Sequence, residues 1–377
     1  MHYSLTADER DLQSGLRTFL ADLVSVPAYE AICDSETGFD EVLWKNLCEQ
    51  GWLDLVPIAE ESNGSAWPIS GVVMAEEFGR RPVPAPVELV AGFLLPVLRR
   101  LHPGALGLPN DGPLAAELVT CHLADLAHHV AQRPDSQALA VRADISAEGV
   151  TLDGELRGVQ FGASATSLVV PVSTGSHWVL VRIDLGMPGV TVRPVRSVDA
   201  GRAAADVSLA NVWIPAGEVV SVGADGVPLE QVLRDGLMSY LLFLDGKAVG
   251  ASVVLLERTI AYVLERQQFG VPIGSFQAVK HKVADIATLV ESSRSIATYS
   301  AWLVSQGAED SVEAVLSSRL HCAEAYRRAC ELAIQCHGGM GFTWEVGLHV
   351  WYRSATYDAS VAGLTLDDLA RLVGRAA

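Results

Sequence analysis

Apolar residues recur every three or four positions at both ends of the chain and every second position in between, and this change of period divides it. Near the N-terminus, Leu12, Leu16, Phe19, Leu20 and Leu23 share one face of a helix. Thr6 and Glu9 open that helix with the spacing of a capping box. A second helix is predicted over Phe39–Gln50, ending at Gly51. From about residue 116 the pattern shortens, and Leu139–Ile145, Val150–Leu152, Ser167–Val172, Trp178–Ile183 and Val190–Val195 read as strands. Asp153-Gly154, Ser173–Gly175 and Gly186–Gly189 read as the turns between them. Helical spacing returns at Leu229–Leu244 and continues through Val249, Val253, Leu256, Ile260 and Val263. It resumes at Val279, Val283, Ile286, Val290 and Ala297, again at Ala325, Ala329, Leu332 and Ala333, and ends in a short amphipathic tail, Leu366–Val373.

These periods predict an α+β chain of three domains. An N-terminal helical domain spans residues 1–115, a middle antiparallel β-barrel or sandwich spans 116–222, and a C-terminal helical bundle spans 223–377. At 377 residues with half of them hydrophobic, the chain has material for more than one core and for a buried subunit interface.

Charge narrows the partners. A formal net charge of -18 and a pI near 4.9 disfavour nucleic acid and anionic membrane, both of which need a cationic field. No apolar run is read as reaching the roughly 18 residues of a membrane span. Asp8, Glu9 and Arg10 stand where a secretory signal would have its apolar stretch, so a cytoplasmic location is expected. Cys33, Cys48, Cys121, Cys322, Cys330 and Cys336 form no C-x-x-C pair or zinc spacing, so no metal site is predicted.

Two stretches carry candidate chemistry. Arg266–Gln277 separates two helical runs, and its Gly270, Pro272 and Gly274 turn the chain back into an antiparallel helix pair. A turn needs no arginine for its geometry, whereas a guanidinium's forked donors match two phosphate oxygens at once. Gln335–Gly341 follows a helix, and its glycines allow a backbone to approach a ligand closely. Taken singly, the first reads as a solvated polar turn and the second as a helix cap.

Together, Arg266-x-x-Phe269-Gly270, Phe276-Gln277, Asp285 and Gln335-x-x-Gly338-Gly339-x-Gly341 resemble the acyl-CoA dehydrogenase family. The resemblance covers nearly the whole length and is strongest from 240 to 355. It implies FAD as cofactor, with these elements holding the ADP half of a flavin seated mainly in a neighbouring subunit. By that resemblance Arg266 meets the pyrophosphate, Phe269 and Gln277 line the cofactor, and Gln335, Gly338 and Gly339 approach the adenosine side.

The chain also departs from the family. Where the family has a flavin-facing Thr-Glu-Pro loop, it has Val119–Asp125, and where the family has an aromatic pair followed by Thr-Asn it has Val159-Gln160-Phe161-Gly162-Ala163. The family's base is a glutamate at one of two positions, which fall here on Ala362 and near Tyr240. A methyl group accepts no proton, and a phenol with a pKa of about 10 is a poor base near neutrality. No catalytic residue is therefore assigned. Asp245 and Asp358 are read as helix-face or polar-cap carboxylates, and Asp235 is an outside candidate for the base.

This imbalance resembles the smaller, base-lacking chain of the heterotetrameric acyl-CoA dehydrogenases of actinobacterial steroid degradation. The resemblance implies a homologous catalytic subunit as partner and an acyl-CoA substrate, possibly steroid-derived, bound by the complex. Two alternatives stay open: a self-sufficient homo-oligomeric flavoenzyme, either an atypical-base dehydrogenase or a monooxygenase, and a non-enzymatic binding or scaffold descendant of the fold.

Overall fold

The computed structural model describes residues 5–23, 25–53, 67–108, 117–130, 140–361 and 364–365. Helices α1 (Ala7–Leu23), α2 (Val26–Cys33), α3 (Glu41–Glu49), α4 (Trp67–Arg80) and α5 (Val87–Leu98) come first. The capping box forms: the Thr6 N–H donates to Glu9 Oε2 at 2.8 Å and the Glu9 N–H to Thr6 Oγ1 at 3.2 Å. The helix predicted over Phe39–Gln50 is α3, and α2 precedes it with Ser25 accepting from the Ala28 N–H. Within α5, Val90–Leu94 is a turn of π-helix, a local widening of the backbone spiral.

The middle of the chain forms β1 (Val119–Cys121), α6 (Ala124–Val130), β2 (Val141–Ile145), β3 (Gly149–Gln160), β4 (Ser167–Ser173), β5 (Trp178–Asp184), β6 (Val190–Val195), β7 (Ala204–Pro215) and β8 (Val219–Val220). Two four-stranded sheets result, ordered β1-β4-β5-β8 and β2-β3-β7-β6, so the architecture is a sandwich and not a closed barrel. Among the described strands, β1 and β4 are the one parallel pair. Alternate residues such as Leu152, Val170, Val181, Val207 and Val212 meet between the sheets as a core separate from the helical one. Asp153-Gly154, expected as a turn, lies inside β3 at a register shift against β7. The β2–β3 hairpin closes instead at 146–148, where the Ser146 N–H donates to the Gly149 carbonyl at 2.8 Å.

The C-terminal part begins with α7 (Leu229–Glu265), one helix of 37 residues that spans the helical spacing from Leu229 to Val263. Its best eighteen-residue window has a mean hydropathy of 1.5, long and apolar enough to cross a membrane, which corrects the expectation that no segment reaches that length. With 72% of that window buried, it is the core rod of the helical part. It crosses α4 at backbone contact, since a Cβ on Gly250 would lie 1.7 Å from the Glu76 carbonyl oxygen and one on Gly79 1.9 Å from that of Lys247. A minimal hairpin, β9 (Gln267–Gln268) and β10 (Val271–Pro272), leads to α8 (Gln277–Ser305), α9 (Ser311–His337) and α10 (Leu348–Asp358). The hairpin β11 (Ser360–Val361) and β12 (Leu364–Thr365) follows. The predicted tail Leu366–Val373 lies outside the described residues.

Candidate nucleotide-gripping hinge and inner cavity

Helix α7 ends when Arg266 turns extended, its N–H still donating to the Tyr262 carbonyl at 2.8 Å. The Ile273 N–H returns to the Arg266 carbonyl at 2.8 Å and pins the hairpin to the helix end. Between them Phe269 and Gly270 both have positive φ, 55° and 81°, the pair of left-handed residues that a two-residue loop of this twist requires. A phenylalanine is an expensive occupant of that position, and it is also 93% exposed. Its ring meets Phe276 edge-on at 6.2 Å, and Leu264, Val271 and Phe276 extend the exposed apolar surface.

Arg266 is exposed, and its guanidinium forms no ion pair with any described residue. Helix α8 starts beside it at the exposed Gln277, with no side chain capping its first N–H groups. Lys280, His281 and Lys282 occupy its first two turns. The cations Arg266, Lys280 and Lys282 gather at this end beside the exposed Glu265 and Asp285, and the combination of fork, helix N-terminus and ammonium groups suits a diphosphate.

The second stretch ends α9. Gln335 is exposed, and Gly338 adopts φ 60°, ψ -136°, which side-chain-bearing residues avoid. A Cβ built on Gly338 or Gly339 would meet nothing within 4 Å, so that backbone faces open space as a shelf. Phe342 and Trp344, just beyond, are 79% and 61% exposed. Tyr262 joins the two stretches, stacking on His337 at 4.3 Å and donating its hydroxyl to the His337 carbonyl at 3.3 Å. The joint lies four residues before Arg266 and one before Gly338, so both stretches occupy one end of the bundle. Arg266, Phe269, Gln277, Gln335, Gly338 and Gly339 are thus all surface groups on a rigid frame, and their donors, aromatic faces and open glycines fit a nucleotide diphosphate.

A cavity of about 850 Å³ lies between the sandwich and the helices, lined on the helical side by Leu89, Tyr240 and Tyr357. Its carboxylates among the described residues are Asp125 and Glu155. Asp125 accepts the Ala140 N–H with both oxygens, at 3.1 and 3.0 Å, and Glu155 pairs with Arg157 at 3.0 Å. Burial pushes the Tyr240 hydroxyl far above the ordinary phenol range, which keeps it neutral. Asp235 is paired with Arg100 and is not among the described residues that line this cavity. Ala362 lies outside the described residues.

Asp245 and Asp358 correct the sequence reading, since neither is a solvated helix-face or capping group. Asp245 is fully buried, 2.9 Å from Arg319 and accepting from Ser318 at 2.5 Å; burial pushes its carboxyl up to about 6 against the pull of both partners. Asp358 belongs to an ionic hub that no sequence pattern marks. Arg202 donates to Asp358 at 2.6 Å and to Glu88 at 2.9 Å, lies 3.6 Å from Asp199, and covers the Tyr357 ring at 4.6 Å. Lys247 reaches Glu88 at 2.5 Å, and the Tyr29 hydroxyl donates to Asp199 at 3.0 Å. Burial alone would raise the Glu88 and Asp358 carboxyls, but Lys247 and Arg202 outweigh it and hold both below the ordinary range. In the sequence Arg202 and Lys247 each stand within three residues of an aspartate, Asp199 and Asp245, so nothing in their local spacing points to partners as distant as Glu88 and Asp358.

Comparison with known proteins agrees with this architecture. Residues 244–366 match the family model described as acyl-CoA dehydrogenase, C-terminal domain. "Acyl-CoA dehydrogenase IpdE2" of Mycolicibacterium smegmatis is 29% identical over 371 residues, covering 97% of this chain and 98% of the relative. The protein of that name from Mycobacterium tuberculosis is 27% identical, covering 95% of each. Among solved structures, the ChsE4-ChsE5 complex from Mycobacterium tuberculosis superposes with a TM-score of 0.83 at 23% identity, covering 100% of this chain and 98% of that one. The Tcur3481-Tcur3483 steroid ACAD gives 0.81 at 23% identity, covering 98% and 99%.

Proposed function

Starting from a chain that belongs to the acyl-CoA dehydrogenase family, we propose that it is one subunit of an FAD-dependent complex that dehydrogenates an acyl thioester, gripping the ADP end of the flavin without supplying the base. The observation that carries this reading is the naked hinge. A strained phenylalanine held almost fully in solvent beside an arginine with no ion pair among the described residues and an open glycine shelf is an arrangement whose cost is offset by an occupant. Arg266 and the first N–H groups of α8 would hold the pyrophosphate, Phe269 and Gln277 would line the cofactor, and the Gln335–Gly339 shelf would leave room for the adenosine side. FAD, when bound, supplies the hydride acceptor for the substrate's β carbon.

A homologous chain then provides the ring pocket and the base. Supporting this, the carboxylates lining the inner cavity among the described residues are engaged, and Tyr240 is held neutral. Similarity to the ChsE4-ChsE5 complex and the Tcur3481-Tcur3483 steroid ACAD supports a two-chain assembly and a steroid-derived acyl group as the substrate class. The test is to purify the chain alone and co-expressed with homologous partner chains, recording visible flavin absorbance, native mass and acyl-CoA oxidation. Colourless protein that becomes an active flavoprotein only with a partner is the expected outcome. A yellow, active assembly of this chain alone overturns the reading.

A further inference from the structure

A separate cleft of about 430 Å³ lies where α1, the C-terminal end of α4, α7 and α10 meet. Among the described residues its walls carry four guanidiniums, Arg17, Arg80, Arg81 and Arg258, against two carboxylates, Glu77 and Glu257, an excess of two positive charges. Both carboxylates are already taken. The buried Glu77 accepts from Arg17 at 2.7 and 2.9 Å, and Glu257 accepts from Arg80 at 2.7 and 3.0 Å.

Arg258 has no such partner. Half-buried, it donates to the Val346 carbonyl and lies over the Trp351 ring at 5.1 Å, and it forms no ion pair with any described residue. One carbonyl and one ring engage only part of a five-donor fork. Burial, and after it the charge of Arg81, hold the Arg258 guanidinium below its ordinary range, so this cation meets another cation where an anion would stabilise it. The rest of the lining is apolar, from Leu20, Val26 and Val254. The Trp351 ring is fixed in place, its Nε1 donating to the Gly79 carbonyl at 3.2 Å.

We propose that this cleft binds a small phosphate ester, with the dianionic phosphate between Arg81 and Arg258 and the apolar body against Leu20, Val254 and the Trp351 ring. A dianion matches the two-charge excess of the lining, and each guanidinium fork takes two oxygens at once. The volume lies within the range of small-molecule sites. Arg258 stands eight residues before Arg266 on α7, about 12 Å along the axis, so this site is distinct from the hinge and does not rest on the flavin reading.

Phenyl phosphate is the probe, used well above its second pKa of about 6 so that it is a dianion. Benzoate, with the same ring and a single charge, is the control. Calorimetric titration of the full chain is expected to give saturable phenyl phosphate binding at least about tenfold tighter than benzoate. Arg258→Met is expected to weaken it by about tenfold or more, with an unliganded melting temperature no lower than wild type, because a cation without a counter-charge has been removed. Arg258→Lys keeps the charge without the fork and weakens binding several-fold, which carries the test should Arg258→Met fail to fold. Arg266→Ala leaves the binding unchanged. No saturable binding, equal affinity for benzoate, or binding indifferent to both Arg258 variants overturns the proposal and leaves the hinge reading intact. Binding lost in Arg266→Ala but kept in the Arg258 variants also overturns it, since the phosphate then sits at the hinge.

Discussion

Phe269 is the residue whose conformation and exposure conflict most with its chemistry. A left-handed backbone costs a side-chain-bearing residue about 1–2 kcal/mol, and asparagine tolerates it better than phenylalanine. Phe269→Asn is therefore expected to raise the melting temperature of the isolated chain slightly while lowering the flavin content of the complex. If flavin content is unchanged, the ring is merely a turn residue. Arg266→Ala is the companion test: the exposed guanidinium makes no ion pair with a described residue, so thermal stability should hold while FAD dissociates at least about tenfold more readily, the loss of a charge-assisted contact. Retention of FAD at the wild-type level would remove Arg266 from the site.

Among the elements, those with a single clear period were legible in the sequence. Helices α1, α7 and α8 follow their apolar stripes, and β4, β5 and β6 fall within two residues of the alternating runs. Misreadings came where a local signal competed with the sheet. Asp153-Gly154 carries the strongest short hairpin signal, yet β7 pairs across it and absorbs it as a bulge. Strand β7 itself passed unread, its alternation interrupted at Asn211, which has φ 54°. The hinge was legible because its glycines and proline punctuate two long stripes. The ionic hub was not, because Tyr29, Glu88, Asp199, Arg202, Lys247 and Asp358 come from elements far apart in sequence, and each alone looks like a surface group. The hub sets a stability prediction. Arg202→Met leaves buried carboxylates uncompensated and should cost about 3–5 kcal/mol at neutral pH. Glu88 and Asp358 have folded pKa values below their unfolded ones, so their contribution is complete above the ordinary carboxylate range and is lost as pH falls through the folded values. The gap between wild type and Arg202→Met in thermal melts should thus narrow as the medium is acidified. A gap that widens toward low pH would mean that these carboxylates are not held ionised.

For the whole molecule, the proposed sharing of a cofactor across an interface would tie folding to assembly. A ligand that binds only the assembled state at a hundredfold excess over its dissociation constant adds about 2.7 kcal/mol. Stripping FAD from the purified complex should therefore lower its melting temperature and loosen its native mass together, and adding FAD back should restore both. Loss of flavin with no change in either would place the cofactor away from the contact between chains. The long helix α7 bears on the same point through its dimensions. Tyr240, at the inner cavity, and Arg266, at the hinge, are separated by twenty-six residues of one unbroken rod, about 39 Å. A flavin dinucleotide is far shorter than that. A nucleotide clasped at the tip of the rod could not lay its ring beside Tyr240 of the same polypeptide, which is the separation that the proposed two-chain reading requires.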